Sequence, residues 1–488
     1  MKESSLLILL KSFSKKEFKE FLLFVKSPYF NNEKVLIHLS ELIYDSFPEF
    51  EKDMEEVFKL LYPDKKYNYS LIRNIYSDLK GLAEEFLSIE NYRSEKIKMR
   101  KGLLTELNKR NIPNQFLKQR KIIAELLSQI KIQNGKYYFY KYELETEVEN
   151  FLIKNRDQYI KKEIPSQNIL DNLMIFFLIE YTYFSAESNN RKKIIQGSGP
   201  DLKFENEIEN LLQKDIKLLE IPYIKVYYYI FKIIKYDSEQ HFHLLKSFAE
   251  NDLSMIMEKD RKEIFTVLTN FSYLKVLSGD LKYLKEQFDI SRTSVEMGIH
   301  KSSNGFIPHV QFMNVVITGL EINEIDSVNK FIQKYSIELK QEFRIPTLHF
   351  CSALIFFHNK EYDKSKEELA LVTIEDYSFK QQLRSLYLKI YFETNDYESF
   401  YFHIDSYKHF ISGNKLIHEL VRMQINDYIN YTKRLFDFKN NINSKDEFEL
   451  KKLENDVNRN TSLVNKKWIL EKIREVSSGK ADLMSTPR

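Results

Sequence analysis

The pattern of apolar and polar positions repeats in the second half of the chain. Four times, a small polar turn leads into a new segment whose apolar residues recur three to four positions apart, the spacing of one helix face. The first apolar residues after these turns are Leu281, Ile325, Tyr362 and Tyr397, at spacings of 44, 37 and 35 residues. Helical hairpins that repeat at such a period bury their apolar faces against neighbouring hairpins. The sequence therefore predicts an all-α fold that contains an array of helical hairpins.

The first part of the chain follows a different pattern, with helices separated by turn residues. Ser14-Lys15-Lys16-Glu17 is a capping box, in which both side chains bond free backbone N–H groups at a helix start. Pro28 ends that helix, because the residue before a proline is disfavoured in helical geometry. A long apolar-periodic segment begins near Tyr69. These elements predict one N-terminal helical unit over residues 1–92.

The rest of the chain divides by composition. Residues 93–184 are predicted as a helical linker or early part of the array, and residues 201–440 as the array itself. Between them, residues 185–200 have the composition of a loop, which is either a domain boundary or a loop between repeats. Residues 441–476 are predicted as C-terminal capping helices, and residues 477–488 as a disordered tail.

Three short motifs mark the N-terminal unit. They are Phe18-x-x-Phe21 followed by Ser27-Pro28-Tyr29-Phe30-Asn31, then Phe58-x-x-Leu61-Tyr62-Pro63, and Ser77-Asp78-Leu79. With these motifs, the first part of the chain resembles an uncharacterised bacterial family, and the resemblance implies no activity. The Ser-Pro-Tyr-Phe-Asn segment is interpreted as a rigid turn between helices whose aromatic residues fill the core. A recognition loop is the alternative.

One unit of the array carries small residues at two helix positions. In Thr347–Asp376, Ala353 lies on the first helix and Ser365 on the second, with a turn and Tyr362 between them. This unit resembles a tetratricopeptide repeat, in which small residues at those places let the paired helices approach closely. The next unit, Gln381–Phe410, keeps the turn but carries larger residues there, so we expect its helices to lie further apart. The array is therefore a degenerate one.

The tetratricopeptide resemblance implies a binding function. Proteins of that family commonly bind an extended peptide or a partner helix on the concave surface formed by the first helix of each pair. The candidate partner-binding residues implied by the resemblance are Phe350, Leu354, Phe357, His358, Lys389, Phe392 and Glu393. We therefore expect a non-catalytic protein–protein interaction scaffold, whose partner the sequence does not name.

Charge supports an alternative function, nucleic-acid binding. The whole chain has 74 basic and 71 acidic residues, a net charge of +3 that gives almost no long-range field. Residues 96–121 nevertheless contain nine basic residues and one acidic residue. A solvated helix face, with the lysine stems lying over apolar surface, is the favoured explanation of this stretch. The candidate nucleic-acid contacts are Arg73, Lys80, Lys96, Lys98, Arg100 and Lys101.

Catalytic and metal-binding motifs are missing from the sequence. The ten histidines include no His-x-x-x-His pair, and no phosphate loop or nucleophile elbow occurs. We therefore expect no enzyme, no metal and no cofactor. The single Cys351 forms no internal disulfide and suits a reducing cytoplasm. The longest apolar stretch, residues 173–179, is shorter than the roughly 20 residues of a membrane span, so we expect a cytoplasmic protein without a membrane partner.

Overall fold

The computed structural model describes residues 4–50, 52–155, 165–194, 202–302, 304–413, 417, 419–440 and 447–484. Within these ranges the chain is helical, and its one extended pairing is an isolated bridge between Ile307 and Leu339. The predicted all-α class is confirmed. By packing, the chain divides into two units: Met1–Lys131 with Lys136–Phe176, and Ile132–Gly135 with Phe177–Arg488.

The first unit contains the helices of the N-terminal part of the chain. They are α1 (Ser5–Lys11), α2 (Lys15–Lys26), α3 (Lys34–Asp45), α4 (Met54–Leu61), α5 (Tyr69–Ser94), α6 (Lys96–Lys109), α7 (Pro113–Ser128), α8 (Gly135–Lys154) and the first part of α9 (Pro165–Ile194). The long helix α5 packs against each of α1, α2, α3 and α4. The predicted N-terminal helices are therefore confirmed, and they share one core.

Aromatic residues fill that core. Phe13, Phe18, Phe21 and Phe86 are at most 5% exposed, and the Phe21 ring centroid lies 5.8 Å from that of Phe13 and 5.6 Å from that of Phe86. The capping box also forms, because the Glu17 N–H donates to Ser14 Oγ at 3.2 Å and the Ser14 N–H donates to Glu17 Oε2 at 2.7 Å. Residues 104–151 add a smaller core between α6, α7 and α8.

The Ser-Pro-Tyr-Phe-Asn turn connects α2 to α3 through a buried amide. Asn31 Nδ2 donates to the Val25 carbonyl at 2.9 Å, and Asn31 Oδ1 accepts from the Glu33 N–H at 2.9 Å. Phe30 stacks on Phe24 with ring centroids 4.1 Å apart. Tyr29, by contrast, is 88% exposed. The turn is built by Asn31 and Phe30, and Tyr29 does not fill the core as the sequence predicts.

The second unit contains the other helices. They are the remainder of α9, then α10 (Glu205–Lys214), α11 (Pro222–Tyr236), α12 (Glu239–Asn251), α13 (Glu258–Ser278), α14 (Tyr283–Glu296), α15 (His309–Glu321), α16 (Ile325–Tyr335), α17 (Gln341–His358), α18 (Tyr362–Ala370), α19 (Tyr377–Glu393), α20 (Tyr397–Gly413), α21 (Glu419–Lys439), α22 (Glu447–Arg459) and α23 (Lys466–Met484). From α11 onward, the extensive helix contacts join helices that are adjacent or next but one in sequence.

The four predicted turns all lie between consecutive helices. Each turn contains one residue with positive φ, namely Gly279 at 105°, Asn323 at 62°, Lys360 at 63° and Asn395 at 56°. Glycine and asparagine adopt this left-handed conformation more readily than other residues do, and it ends a helix by turning the chain away. The four helix-turn-helix predictions are therefore confirmed at the level of secondary structure.

The predicted close approach in the Thr347–Asp376 unit is also present. Ser365 Oγ of α18 donates to the Ala353 carbonyl of α17 at 2.7 Å, and both residues are fully buried. A larger side chain at either position would separate the two helices. In the next pair, Leu388 and Phe400 occupy the corresponding interior and are fully buried as well.

Two predicted loops are helical instead. Helix α9 continues through residues 185–194 of the predicted loop, because Thr182 Oγ1 and Asn189 Nδ2 bond carbonyls one turn earlier in the helix. Residues 195–200 lie outside the described residues. Helix α23 continues to Met484, so the predicted tail at residues 477–488 begins inside it, with Ser478 Oγ bonded to the Arg474 carbonyl. Polar side chains that bond their own helix do not end it.

Helix α9 is more apolar over its length than the short stretch at residues 173–179 suggests. Residues 166–190 are long and apolar enough to cross a membrane by length and composition, and 33% of the tested window is buried. Leu178 and Ile179 are buried, whereas Phe177 is 47% exposed. The stretch at residues 173–179 is therefore buried in part only.

Candidate functional site

The predicted partner-binding residues do not form one exposed surface. Phe350 and Phe392 are each 1% exposed and belong to the cores of α17–α19 and α19–α23. Leu354 is partly buried and packs against two neighbouring cores. Phe350 and Phe392 therefore stabilise the fold, which corrects their predicted role as partner contacts. The sequence pattern marks them as apolar, and only the packing decides that neighbouring helices cover them.

Two residues at the end of α17 remain near the surface. Phe357 is partly buried, with its ring centroid 5.6 Å from that of Tyr362, and His358 Nε2 lies 3.0 Å from Asn323 Oδ1. The histidine thus links α17 to the turn that follows α15. Both residues keep solvent contact.

Glu393 is occupied by the chain itself. Its Oε1 accepts from Trp468 Nε1 at 3.2 Å and lies 2.8 Å from Lys472 Nζ. The side chains of Glu393 and Lys472 are only 10% and 13% exposed, so the pair is shielded from water. Removing one partner of such a pair leaves an uncompensated buried charge. Glu393 therefore serves as an internal anchor for α23, which corrects its predicted role as an open partner contact.

Helix α23 lies against α19 through an aromatic contact as well. The Trp468 ring centroid is 5.2 Å from that of Phe392, and the Lys389 ammonium is 5.7 Å from the Trp468 ring. The neighbouring residues Ile469 and Ile473 of α23 are buried in the core shared by α19–α23, and Trp468 packs against the same core. Helix α23 is thus held in place by this core and also meets α19, the predicted binding helix.

Beyond this contact, residues of four helices lie near one another. Lys467 Nζ of α23 donates to the Glu321 carbonyl at the end of α15 at 2.6 Å and lies 3.9 Å from Glu471 Oε1. Lys389 of α19 is close enough to Glu321 for each to shift the pKa of the other, and Glu321 also acts on the pKa of Tyr273 in α13. We call the surface formed by Tyr273, Glu321, Lys389, Lys467 and Glu471 the recess.

The side chains of the recess keep solvent contact, although the surrounding protein shifts several of their pKa values. Tyr273 is 40% exposed and Glu321 is exposed. Partial burial nevertheless raises the pKa of both groups. Burial likewise lowers the pKa of the Lys389 ammonium, against the opposing effect of Glu321. Desolvation of this kind disfavours the charged form of each group.

Of the seven predicted binding residues, Lys389 is the one that lies in the recess. Sequence reasoning missed Tyr273, Glu321, Lys467 and Glu471, which lie on α13, α15 and α23. No local pattern identifies them, since Lys467 and Glu321 are 146 positions apart in the chain. The polar turn after Glu321 was the nearest available signal.

The residues of the nucleic-acid alternative lie on two helices, α5 and α6. Lys80 pairs with Glu84 at 2.8 Å and Lys101 with Glu143 at 2.7 Å, while Arg100 Nη1 donates to Gln119 Oε1 at 3.0 Å. Arg73, Lys96 and Lys98 are exposed. Carboxylates thus compensate part of the basic stretch, which reduces the positive charge that remains for phosphates.

The one cysteine of the chain lies in the interior of the second unit. Cys351 is 1% exposed, and burial raises the pKa of its thiol far above the usual range. Because the thiolate is the nucleophilic form, this residue is inert at neutral pH. Across the ranges that the structure describes, no three His, Cys, Asp or Glu side chains come together as ligands for a metal ion.

Comparisons with known proteins give no relative for this chain. No protein-family model, no curated protein and no solved structure matches it.

Proposed function

We propose that the chain is a non-catalytic protein–protein interaction scaffold, a degenerate tetratricopeptide-like solenoid that binds a helix or peptide of a partner on its concave face. The observation that carries the proposal is the position of α23 against α19. There, Trp468 and Lys472 of one helix contact Phe392 and Glu393 of another through ring packing and a shielded ion pair. This face of α19 therefore already accommodates a helix.

The packing order of the second unit supports the solenoid. Its helices contact those adjacent or next but one in sequence, and the cores overlap, since α15 and α17 contribute to two cores and α19 contributes to the next. Stacked hairpins of this kind bury a continuous core and leave extended concave surfaces for binding. The degenerate repeats explain why only one unit carries the small-residue pair Ala353 and Ser365.

The partner in this proposal lies beside α23, over the recess. Tyr273 supplies an aromatic surface that is 40% exposed, and Lys467 and Glu471 supply a charged rim that is 30% and 50% exposed. Aromatic anchors with a polar rim are typical of residues that contribute most to protein–protein affinity. We place the interaction in the cytoplasm, because a single cysteine suits a reducing compartment.

Photo-crosslinking tests this proposal without disturbing the core. A photo-reactive phenylalanine analogue replaces Tyr273 in the native host, and the crosslinked species are identified by mass spectrometry with and without nuclease. The matched control carries the same analogue at Phe402, which is 78% exposed in the same unit but lies on α20.

We expect one nuclease-resistant protein crosslink at Tyr273 that the Phe402 variant does not give. Identical crosslinks at both positions, or no protein crosslink at Tyr273, would contradict the proposal. Nuclease-sensitive crosslinks would instead favour nucleic acid. Phe392 is unsuitable for such a test, because a residue that is 1% exposed lies inside the core and does not reach a partner.

A further inference from the structure

Lys389 is a cation without a partner among the described residues. Its ammonium faces the Trp468 ring at 5.7 Å, and no carboxylate lies within ion-pair distance of it. Its acidic neighbours are committed elsewhere: Glu393 binds Trp468 and Lys472, and Glu471 lies 3.9 Å from Lys467. Lys389 is therefore held in a desolvated position without the ion pair that usually accompanies one.

Glu321 is the matching case of opposite charge. Its backbone carbonyl accepts from Lys467, but its carboxylate makes no hydrogen bond and no ion pair within the described part of the chain. The surrounding protein raises the pKa of this carboxyl, and the positive charges of Lys389 and Lys467 only partly oppose that effect. The two unpaired charges face the same recess and yet do not pair with each other.

A bound partner changes this balance. A partly buried cation such as Lys389 loses less hydration on binding than a freely solvated one, so a complementary partner anion gains more there. Glu321 offers its unpaired carboxylate to a partner cation. Opposite signs at two separate points also fix direction, because a partner bound in reverse would place like charges together. Trp468, beside Lys389, supplies an apolar surface next to the cation.

We propose that Lys389 and Glu321 select the partner by charge: a helix or peptide places a carboxylate against Lys389 and a lysine or arginine against Glu321. This inference rests on the proposed function and specifies the chemistry of its partner. It also assigns direction, since the acidic end of the partner segment lies toward α19 and the basic end toward the end of α15.

A displayed library of random helical peptides, selected on the full-length chain, provides the probe. We expect the selected peptides to carry an acidic and a basic residue at a fixed spacing. Lys389→Glu and Glu321→Lys should each weaken a selected peptide at least about tenfold. The double variant should select peptides with the two charges in reversed order. The control Lys408→Glu changes net charge equally on α20, outside the recess, and should leave binding unchanged.

Folding of each variant is checked by far-UV circular dichroism and by the emission of Trp468, the only tryptophan. Where a charge reversal unfolds the chain, Lys389→Met and Glu321→Gln replace it and should remove the corresponding preference. Selected peptides that crosslink to the analogue at position 273 without any charge pattern would overturn the inference and leave the proposed function intact. Selection of no peptide that crosslinks there would overturn both.

Discussion

Helices α1–α5 and helices α13–α23 both bury apolar and aromatic residues, but they arrange these residues in different kinds of core. In the first set, α5 contacts α1, α2, α3 and α4, so helices distant in sequence share one aromatic core. In the second set, extensive contacts join near neighbours in sequence, and the apolar residues divide into overlapping cores. A shared core joins helices that are distant in sequence, whereas overlapping cores join helices that are near one another in sequence.

The difference affects which side chains stay accessible. In α1–α5, the rings of Phe13, Phe21 and Phe86 contact one another and fill the core. In the second unit, residues of α13, α15, α19 and α23 form the recess, where Glu321 and Tyr273 stay in contact with water.

The largest effect is expected from removing one ring of the shared core of α1–α5. Phe21→Ala should lower the free energy of unfolding of the first unit by about 3–5 kcal/mol, because a fully buried ring is replaced by a cavity. Denaturant titration followed by circular dichroism measures this loss. The transition reported by Trp468 should stay in place, since the ring contacts of Phe21 lie in the first unit.

Leu23→Ala on the same helix is the control. Leu23 is 70% exposed, so its loss should stay within about 0.5 kcal/mol. A loss below about 1 kcal/mol for Phe21→Ala, or a displaced Trp468 transition, would show that the two sets of helices do not differ as described.

A smaller effect is expected at Gly319 of α15, where side chains of two neighbouring helices pack against the backbone. A Cβ at Gly319 of α15 would lie 2.8 Å from Phe288 Cε2 and would also overlap Val328. Gly319→Ala should therefore cost about 1–3 kcal/mol, measured through Trp468 emission during denaturation.

Gly81→Ala in α5 is the matched substitution in the first unit. Nothing lies within 4 Å of its added Cβ, so the better helix propensity of alanine should add about 0.5–1 kcal/mol. If both glycine substitutions stabilised the chain, or both destabilised it, the packing described for α14–α16 would be contradicted.

Protonation of the half-buried His403 should make the stability of the second unit depend on pH. His403 Nε2 lies 2.8 Å from the Arg384 carbonyl, to which the neutral ring donates, and burial lowers the pKa of His403 to about 4. In the unfolded chain the pKa of histidine is about 6.5, so the native state binds fewer protons between these values. Stability is full above about pH 6.5 and falls as the pH drops toward 4, by about 1 kcal/mol per pH unit.

Unfolding of the wild type and of His403→Gln between about pH 4.5 and pH 7, followed by Trp468 emission, measures this contribution. We expect a flatter pH dependence for the variant. Parallel curves for the two proteins would exclude His403 as a source of acid sensitivity.

The smallest effect concerns a helix start in the first unit. Ser14→Ala removes the side chain that accepts from the Glu17 N–H, and should cost about 1 kcal/mol in denaturation followed by circular dichroism. Ser88 of α5 bonds a carbonyl of its own helix at 2.8 Å and does not cap it. Ser88→Ala should change stability by less than about 0.5 kcal/mol. Equal effects of both substitutions would remove the special role of the capping box.

Helix ends and turns follow from the sequence alone. A capping box, a proline after Ser27, and Gly279, Asn323 and Asn395 in left-handed turns each act within a few residues, and each lies at a helix end as predicted. Ala353 and Ser365 likewise indicate a close helix pair, because small side chains have one packing consequence. Helix periodicity, turn chemistry and capping are short-range, so they are readable without a fold.

Only the tertiary structure decided which surfaces stay open. Phe350, Phe392 and Lys389 all occur on array helices, but neighbouring helices bury the two phenylalanines and leave the lysine in the recess. Lys467 reaches Glu321 across 146 positions, and no local pattern encodes such a contact. The physical reason is that hydration and charge pairing depend on everything that surrounds a side chain, and most of its surroundings come from distant parts of the sequence.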